Sequence, residues 1–298
     1  MITDIPSSDD FRRTGLGLLD IAWDTAAGLV MDLATSEYMG PADPEMAAAF
    51  WEASRQRLSV SLATAQQAVE FILKSRIAAV SPFLLIGSLP RDWPRRCDQQ
   101  NTQFADFRTI DAQDLLRVHD AVAPERLGSD SLAKFEELRK TRNAITHTVD
   151  SRISPRAADV VRDILAVYRQ LFPDGNWFAV RREYLEHSPI AELYSGDFVD
   201  ERLVLEFEHV DALLGPGELG ACLGRSDSLK FVCPSCARAV DGETRSPRCA
   251  SINDSSTAID CILCGATTAV SAASCAECGT GLVSSEHEFC VVCGDYVV

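Results

Sequence analysis

The sequence of 298 residues has no apolar run approaching about 18 residues, so no segment is expected to cross a bilayer as a helix. Its first residues, Met1 to Asp10, are acidic and lack the basic-then-apolar order of an export signal. A cytoplasmic location without membrane contact is therefore expected, and a reducing compartment also keeps thiols available. Positive charge is scarce: 28 Lys and Arg stand against 44 Asp and Glu, a formal charge of −16. The deficit runs through the whole chain, 23 against 34 before residue 213 and 5 against 10 from there on. A non-specific polyanion binder needs the opposite sign, so any nucleic-acid contact must be local. Strand-like alternation is essentially missing before residue 229, and no internal repeat appears apart from one cysteine motif.

Cysteine is what the chain has in an unusual pattern. Eight of its 11 cysteines lie in the last 66 residues as four Cys-x-x-Cys pairs: Cys233/Cys236, Cys261/Cys264, Cys275/Cys278 and Cys290/Cys293. A redox role calls for a single such pair beside a βαβ pattern, and a disulfide framework calls for secretion; neither context is present. Each pair supplies half of a tetrahedral thiolate site, so four pairs imply two Zn2+ ions. Three pairs run straight into glycine (Gly265, Gly279, Gly294), which suits a tight knuckle that turns its amides back toward the thiolates. Pairing neighbours gives one site around a 24-residue insert and another around an 11-residue insert, as tandem zinc ribbons; an interleaved arrangement also satisfies the count. Cys249 and His287 are simplest as bystanders, and Cys97 and Cys222 have no assigned role. Four-thiolate sites are closed, so these metals are expected to fold the tail and not to catalyse.

The composition changes near residue 215, dividing the chain into a larger domain, 1–214, and a metal-stapled tail, 215–298. Leu16, Leu19, Trp23, Ala26, Val30 and Leu33 step by three and four along a first helix of about six turns. Asp43 before Pro44 predicts an N-cap, after which Met46, Phe50, Leu58, Leu62, Ala65, Val69 and Ile72 form a stripe that lasts until Pro82. Residues 87–103 are rich in breakers, and their Arg91, Arg95 and Arg96 with an exposed Trp93 offer a surface that a ligand could touch. Further helices are expected at Asp111–Val122, about Ser131–Val149 with Phe135, Leu138, Ile145 and Val149 inward, Ser154 to Leu171, and two shorter ones within 176–214. The fold expected is mainly α, a helical bundle, with β structure confined to ribbon hairpins.

Near the end of the fourth helix, Arg142-Asn143-x-x-x-His147 places a fixed cation, an amide and an imidazole together. This run, at a helix end within a small bundle, resembles the signature of the HEPN superfamily, in which Arg, four to six residues and His mark metal-independent ribonucleases. A polar residue directly after the Arg is typical of that family, and Asn143 supplies it. The likeness extends to Ala68–Lys74 and Ser81–Leu85, similar to the family's second helix, and spans roughly residues 16–172; it does not touch the tail. It implies an RNA endonuclease of a defence or toxin type, acting on RNA with transfer RNA among the candidates, through Arg142, Asn143 and His147, with cleavage by the 2′-hydroxyl to a 2′,3′-cyclic phosphate.

The residue types suit that chemistry. Imidazole titrates near neutrality, at about 6.5 when unperturbed, and guanidinium presents a fork matched to phosphate oxygens. Residues five apart on a helix point about 140° from each other, so Arg142 and His147 do not share a face. Relatives resembling this pattern form homodimers with a shared cleft, which implies a homodimer here too. A position two after the motif His carries a tyrosine in some relatives; here it is Val149. The bland alternative has Arg142 pairing with a helix carboxylate and the trio capping the helix, which leads to a catalytically inactive HEPN scaffold whose zinc ribbons bind a protein or nucleic-acid partner. Glu70 and Lys74, four apart, are simplest as a helix ion pair. His119, His187, His209 and His287 fit no ligand spacing.

Overall fold

A computed structural model describes residues 1–37, 43–147, 154–193, 198–215, 217–225, 229–240, 247–279 and 281–297, with the side chains of Glu37, Thr146 and His147 outside that set. The protein is mainly α with small antiparallel sheets at its cysteine-rich end. Among the described residues no helix is long and apolar enough to cross a membrane. The chain gathers into two compact units, one from residues 1–25 and 51–156, the other from 26–50 and 157–298.

Helices α1 (Ser8–Glu37) and α2 (Pro44–Val80) each contribute to both units, and their parts in the first approach closely. A Cβ on Gly15 would meet Ile72 Cγ1 at 2.7 Å, and the buried Ser61 Oγ donates to Ala22 O at 2.7 Å. Leu19, Trp23, Leu58, Ala65 and Ile72 are buried, as their spacing predicts. Asp43 caps α2, its Oδ1 accepting from Glu45 N at 3.1 Å. Helix α1 starts about two turns before its apolar stripe because Ser7 and Asp10 cap it reciprocally: Asp10 N donates to Ser7 Oγ at 3.1 Å and Ser7 N to Asp10 Oδ2 at 2.8 Å.

Helices α3 (Ala112–Val122) and α4 (Ser129–His147) complete this unit. Phe135 and Leu138 are buried, Ile145 is half-buried, and Val149 lies outside the described residues. Two expectations are corrected. Strands β1 (Ile2–Thr3) and β2 (Thr102–Gln103) pair in parallel, so sheet is not confined to the tail; two residues leave no periodicity to read. Trp93 is only partly exposed, its ring edge-on to Phe107 at 5.4 Å and its Nε1 donating to Ser88 O at 3.1 Å, whereas Arg91, Arg95 and Arg96 are exposed.

In the second unit, α5 (Ala157–Leu171), α6 (Trp177–Glu186), α7 (Phe198–Leu214) and a short α8 (Glu218–Cys222) surround Ile164, Trp177, Phe178, Leu203 and Val210. Helix α7 ends at Leu214, where the composition changes. The buried Arg181 on α6 forks onto Glu206 on α7, at 2.8 and 3.1 Å, and Arg202 reaches the same carboxylate at 2.9 Å. Glu206 is fully buried, so removing a partner strands charge in the core. We expect Arg181→Ala to lower stability by about 3–5 kcal/mol, read from the urea midpoint; a loss under about 1 kcal/mol would show that Arg202 alone suffices.

The tail carries β3 (Phe231–Val232), helix α9 (Pro234–Ala239), β4 (Arg248–Ile252), β5 (Ala258–Cys261) and β6 (Thr267–Ala269), the strands forming a four-stranded sheet in that order. Strands β7 (Ser271–Ala272), β8 (Leu282–Ser284) and β9 (Phe289–Cys290) form a second antiparallel sheet.

Candidate functional site

The sheets deliver the cysteines. Cys233 follows β3, Cys261 ends β5 opposite Ala250, and Cys290 ends β9 opposite Val283. Two clusters result, Cys233, Cys236, Cys261 and Cys264 in one and Cys275, Cys278, Cys290 and Cys293 in the other, so neighbouring pairs combine and the interleaved arrangement is set aside. Sulfur–sulfur distances are 3.6 Å for Cys233–Cys264 and Cys236–Cys261, 3.7 Å for Cys275–Cys293 and 3.8 Å for Cys278–Cys290. A tetrahedron of about 2.3 Å metal–thiolate bonds has edges of about 3.8 Å, so both clusters have the size and donor set to hold a metal ion.

The backbone shows why glycine follows three of the pairs. Gly265, Gly279 and Gly294 have φ of +72°, +69° and +88°, the left-handed region, and their N–H groups return to the carbonyls of Cys261, Cys275 and Cys290 at 3.1, 3.0 and 2.9 Å. The fourth pair lacks glycine because it enters α9, with Pro234 in the helix's first turn. Leu263 N donates to Cys261 Sγ at 3.4 Å. Crowding distributes charge unevenly: hydrogen bonds from Cys233, Cys236 and Cys249 pull the Cys261 thiol down to about 4, and hydrogen bonding with Cys233 pushes Cys236 far up. Cys275 falls to about 7, chiefly through the backbone N–H of Cys278. Cys249 is a fifth thiol beside the first cluster, buried, its Sγ 3.6 Å from that of Cys261 and outside the four-residue set.

A second constellation lies between α2 and α4. Arg142 Nε donates to Gln66 Oε1 at 3.0 Å and its Nη2 to Glu70 Oε1 at 2.9 Å, while Gln66 Nε2 donates to the same Glu70 oxygen at 2.7 Å. Gln66 is fully buried, and the Arg142 and Glu70 side chains are 27% and 16% exposed. Together with Val60, Thr64 and Ile145 they line a cleft of about 430 Å³. The triangle fixes the guanidinium at the cleft wall and places a carboxylate against it, so an incoming anion meets a partly neutralised cation.

Of the three residues expected to act, Arg142 lines this cleft, Asn143 is half-buried on the same helix, and His147 is the last residue of α4 with its side chain outside the described residues. Sequence reasoning missed Gln66 and misassigned Glu70: its partner is Arg142, whereas Lys74 lies over the Phe71 ring at 5.4 Å. The available signal was a Gln and a Glu four apart inside an otherwise apolar stripe. No family model, curated protein or solved structure matches this chain.

Proposed function

We propose that the helical part is a metal-independent RNA endonuclease of the HEPN type, serving as a defence or toxin effector, and that each four-cysteine cluster holds one structural Zn2+ in a ribbon that recognises a target or partner. The observation that supports the enzymatic reading is Arg142 locked at the wall of a cleft of about 430 Å³, five residues before His147 on one helix. In the proposed reaction the 2′-oxygen of RNA attacks the adjacent phosphorus and the bond to the 5′-oxygen breaks. His147 takes the 2′-hydroxyl proton and returns it to the departing 5′-oxygen, and Arg142 faces the phosphate oxygens where negative charge grows. Asn143 orients the imidazole or the phosphate. The products are a 2′,3′-cyclic phosphate and a 5′-hydroxyl. Incubating the purified chain with total and transfer RNA tests this: a substrate with 2′-deoxy at the scissile nucleotide should resist, and its cleavage would exclude the mechanism.

Residues five apart diverge by about 140° on a helix, so a joint site needs the reach of Arg142's long side chain, a distorted helix end or a second copy of the chain, and the HEPN resemblance implies the last. Light scattering is expected to give twice the 32.5 kDa chain mass. A strict monomer at tens of micromolar would shift preference to the second reading, a catalytically silent scaffold. The Arg142–Glu70 pair and the charge of −16 favour that alternative, since both oppose a polyanion.

The zinc reading rests on all-sulfur donors at tetrahedral spacing, a set that also suits iron. The ions would be held by thiolates and would supply folding energy, with no part in bond cleavage.

A further inference from the structure

The knuckle Cys261–Cys264 differs from the others at its tip. Ile262 and Leu263 are 8% and 2% exposed, and the carbonyls of both accept hydrogen bonds from side chains of α6. Asn176 Nδ2 donates to Ile262 O at 2.7 Å, and Arg182 donates to Leu263 O through Nε and Nη2, each at 3.4 Å. Arg182 Nη2 is also paired with Asp200 in the first turn of α7. At the second cluster, by contrast, Ala276 and Glu277 are exposed, and Val291 O meets the backbone N–H of Val232 at 2.8 Å.

Asn176 has two tasks. As N-cap of α6 it accepts from Phe178 N through Oδ1 at 3.1 Å, while its amide nitrogen holds the knuckle. The peptide whose carbonyl it holds, Ile262–Leu263, faces the sulfur centre on its other side, where Leu263 N donates to Cys261 Sγ at 3.4 Å. A knuckle amide is aimed well at a thiolate only while its peptide plane is fixed, and here α6 fixes it.

We infer that Asn176, supported by Arg182, is a positioning residue of the first metal centre, so that metal held by Cys233, Cys236, Cys261 and Cys264 and the first turn of α6 stabilise each other. This rests on the zinc reading of the clusters. Coupling of this kind is reciprocal: what α6 adds to metal retention, bound metal adds to α6.

The discriminating variant is Asn176→Ser in the full chain. Serine caps a helix about as well as asparagine, but its hydroxyl is too short to span to Ile262 O. Asn176→Asp is the second variant, retaining the cap oxygen and lacking the amide donor. Reduced, zinc-loaded protein is mixed with excess of a chromogenic chelator and release is followed with time. Wild type should release two equivalents. Both variants should release one of them about tenfold faster, the lower end of the effect of lost outer-shell partners, with the other unchanged. Cys290→Ser, which lacks the second cluster, identifies the accelerated phase as the first. Hydrogen exchange at Phe178–Val180 should rise when that phase completes in wild type. Release curves of both variants superimposing on wild type would reduce Asn176 to a cap, and equal acceleration of both phases would reveal general loosening; either overturns the inference. Wild-type protein purified without zinc would instead remove the zinc reading itself.

Discussion

Alanine at His147 is expected to reduce RNA cleavage by about 10²–10⁴-fold, the usual contribution of a positioned general acid or base. Arg142→Ala should lose about 10²–10³-fold, as when a charge-stabilising donor is removed. The structure complicates the second variant: without the guanidinium the partly buried Glu70 loses its ion-pair partner and retains the hydrogen bond from Gln66, so part of any loss will be stability. Arg142→Lys separates the two effects. An ammonium can still neutralise Glu70 but lacks the planar fork, so folding should survive while activity fails. Thermal unfolding of each variant beside its cleavage rate makes the comparison. Full activity in His147→Ala would show that this residue does not move the proton.

The second large effect concerns the metals. Elemental analysis should give close to two equivalents of zinc per chain, and Cys261→Ser should lower this to one. Cys249 stands 3.6 Å from Cys261, near enough to take a vacated position, so the decisive protein carries Cys249→Ser as well. Structural zinc contributes roughly 10–16 kcal/mol of apparent folding energy in isolated fingers, comparable to the whole stability of a domain at about 5–15 kcal/mol. From the sequence, losing one ribbon should leave the helical signal intact. The hydrogen bonds of Asn176 and Arg182 to the knuckle alter that expectation: the double variant should also lose protection in α6 and α7, whereas Cys290→Ser should not. Retention of two equivalents in the double variant would overturn the assignment of Cys261 as a ligand, and iron in place of zinc would change the metal while leaving the geometry.

The cysteine pairs were legible because metal chemistry acts over fixed local spacing, and the glycines because a left-handed turn excludes most side chains. Asp43 was legible as a cap for the same local reason. Ser7 and Asp10 carried an equally local signal, but it lay outside the apolar stripe that defined α1. Glu70 was assigned to Lys74 because spacing within one helix cannot show a partner 72 positions away on another. The apolar tip Ile262-Leu263 did carry a sequence signal, two bulky side chains in a turn that is otherwise solvated, and its partner on α6 becomes visible only through tertiary packing. Trp93 shows the opposite error: a breaker-rich loop suggested exposure, while a short 3₁₀ turn at Pro90–Asp92 swings the ring onto Phe107.

Asn176 and the carbonyl it holds are separated by 86 positions. A ribosome adding about 5–20 residues per second makes Asn176 and then needs roughly 4–17 s before Ile262 follows. During that interval the oxygen of Asn176 can already close its own helix, but its amide nitrogen has no Ile262 carbonyl to hold. The α6 cap is therefore made well before the knuckle it steadies, and if the cluster takes up a metal, scarcity of that ion should be felt as a lower yield of folded protein.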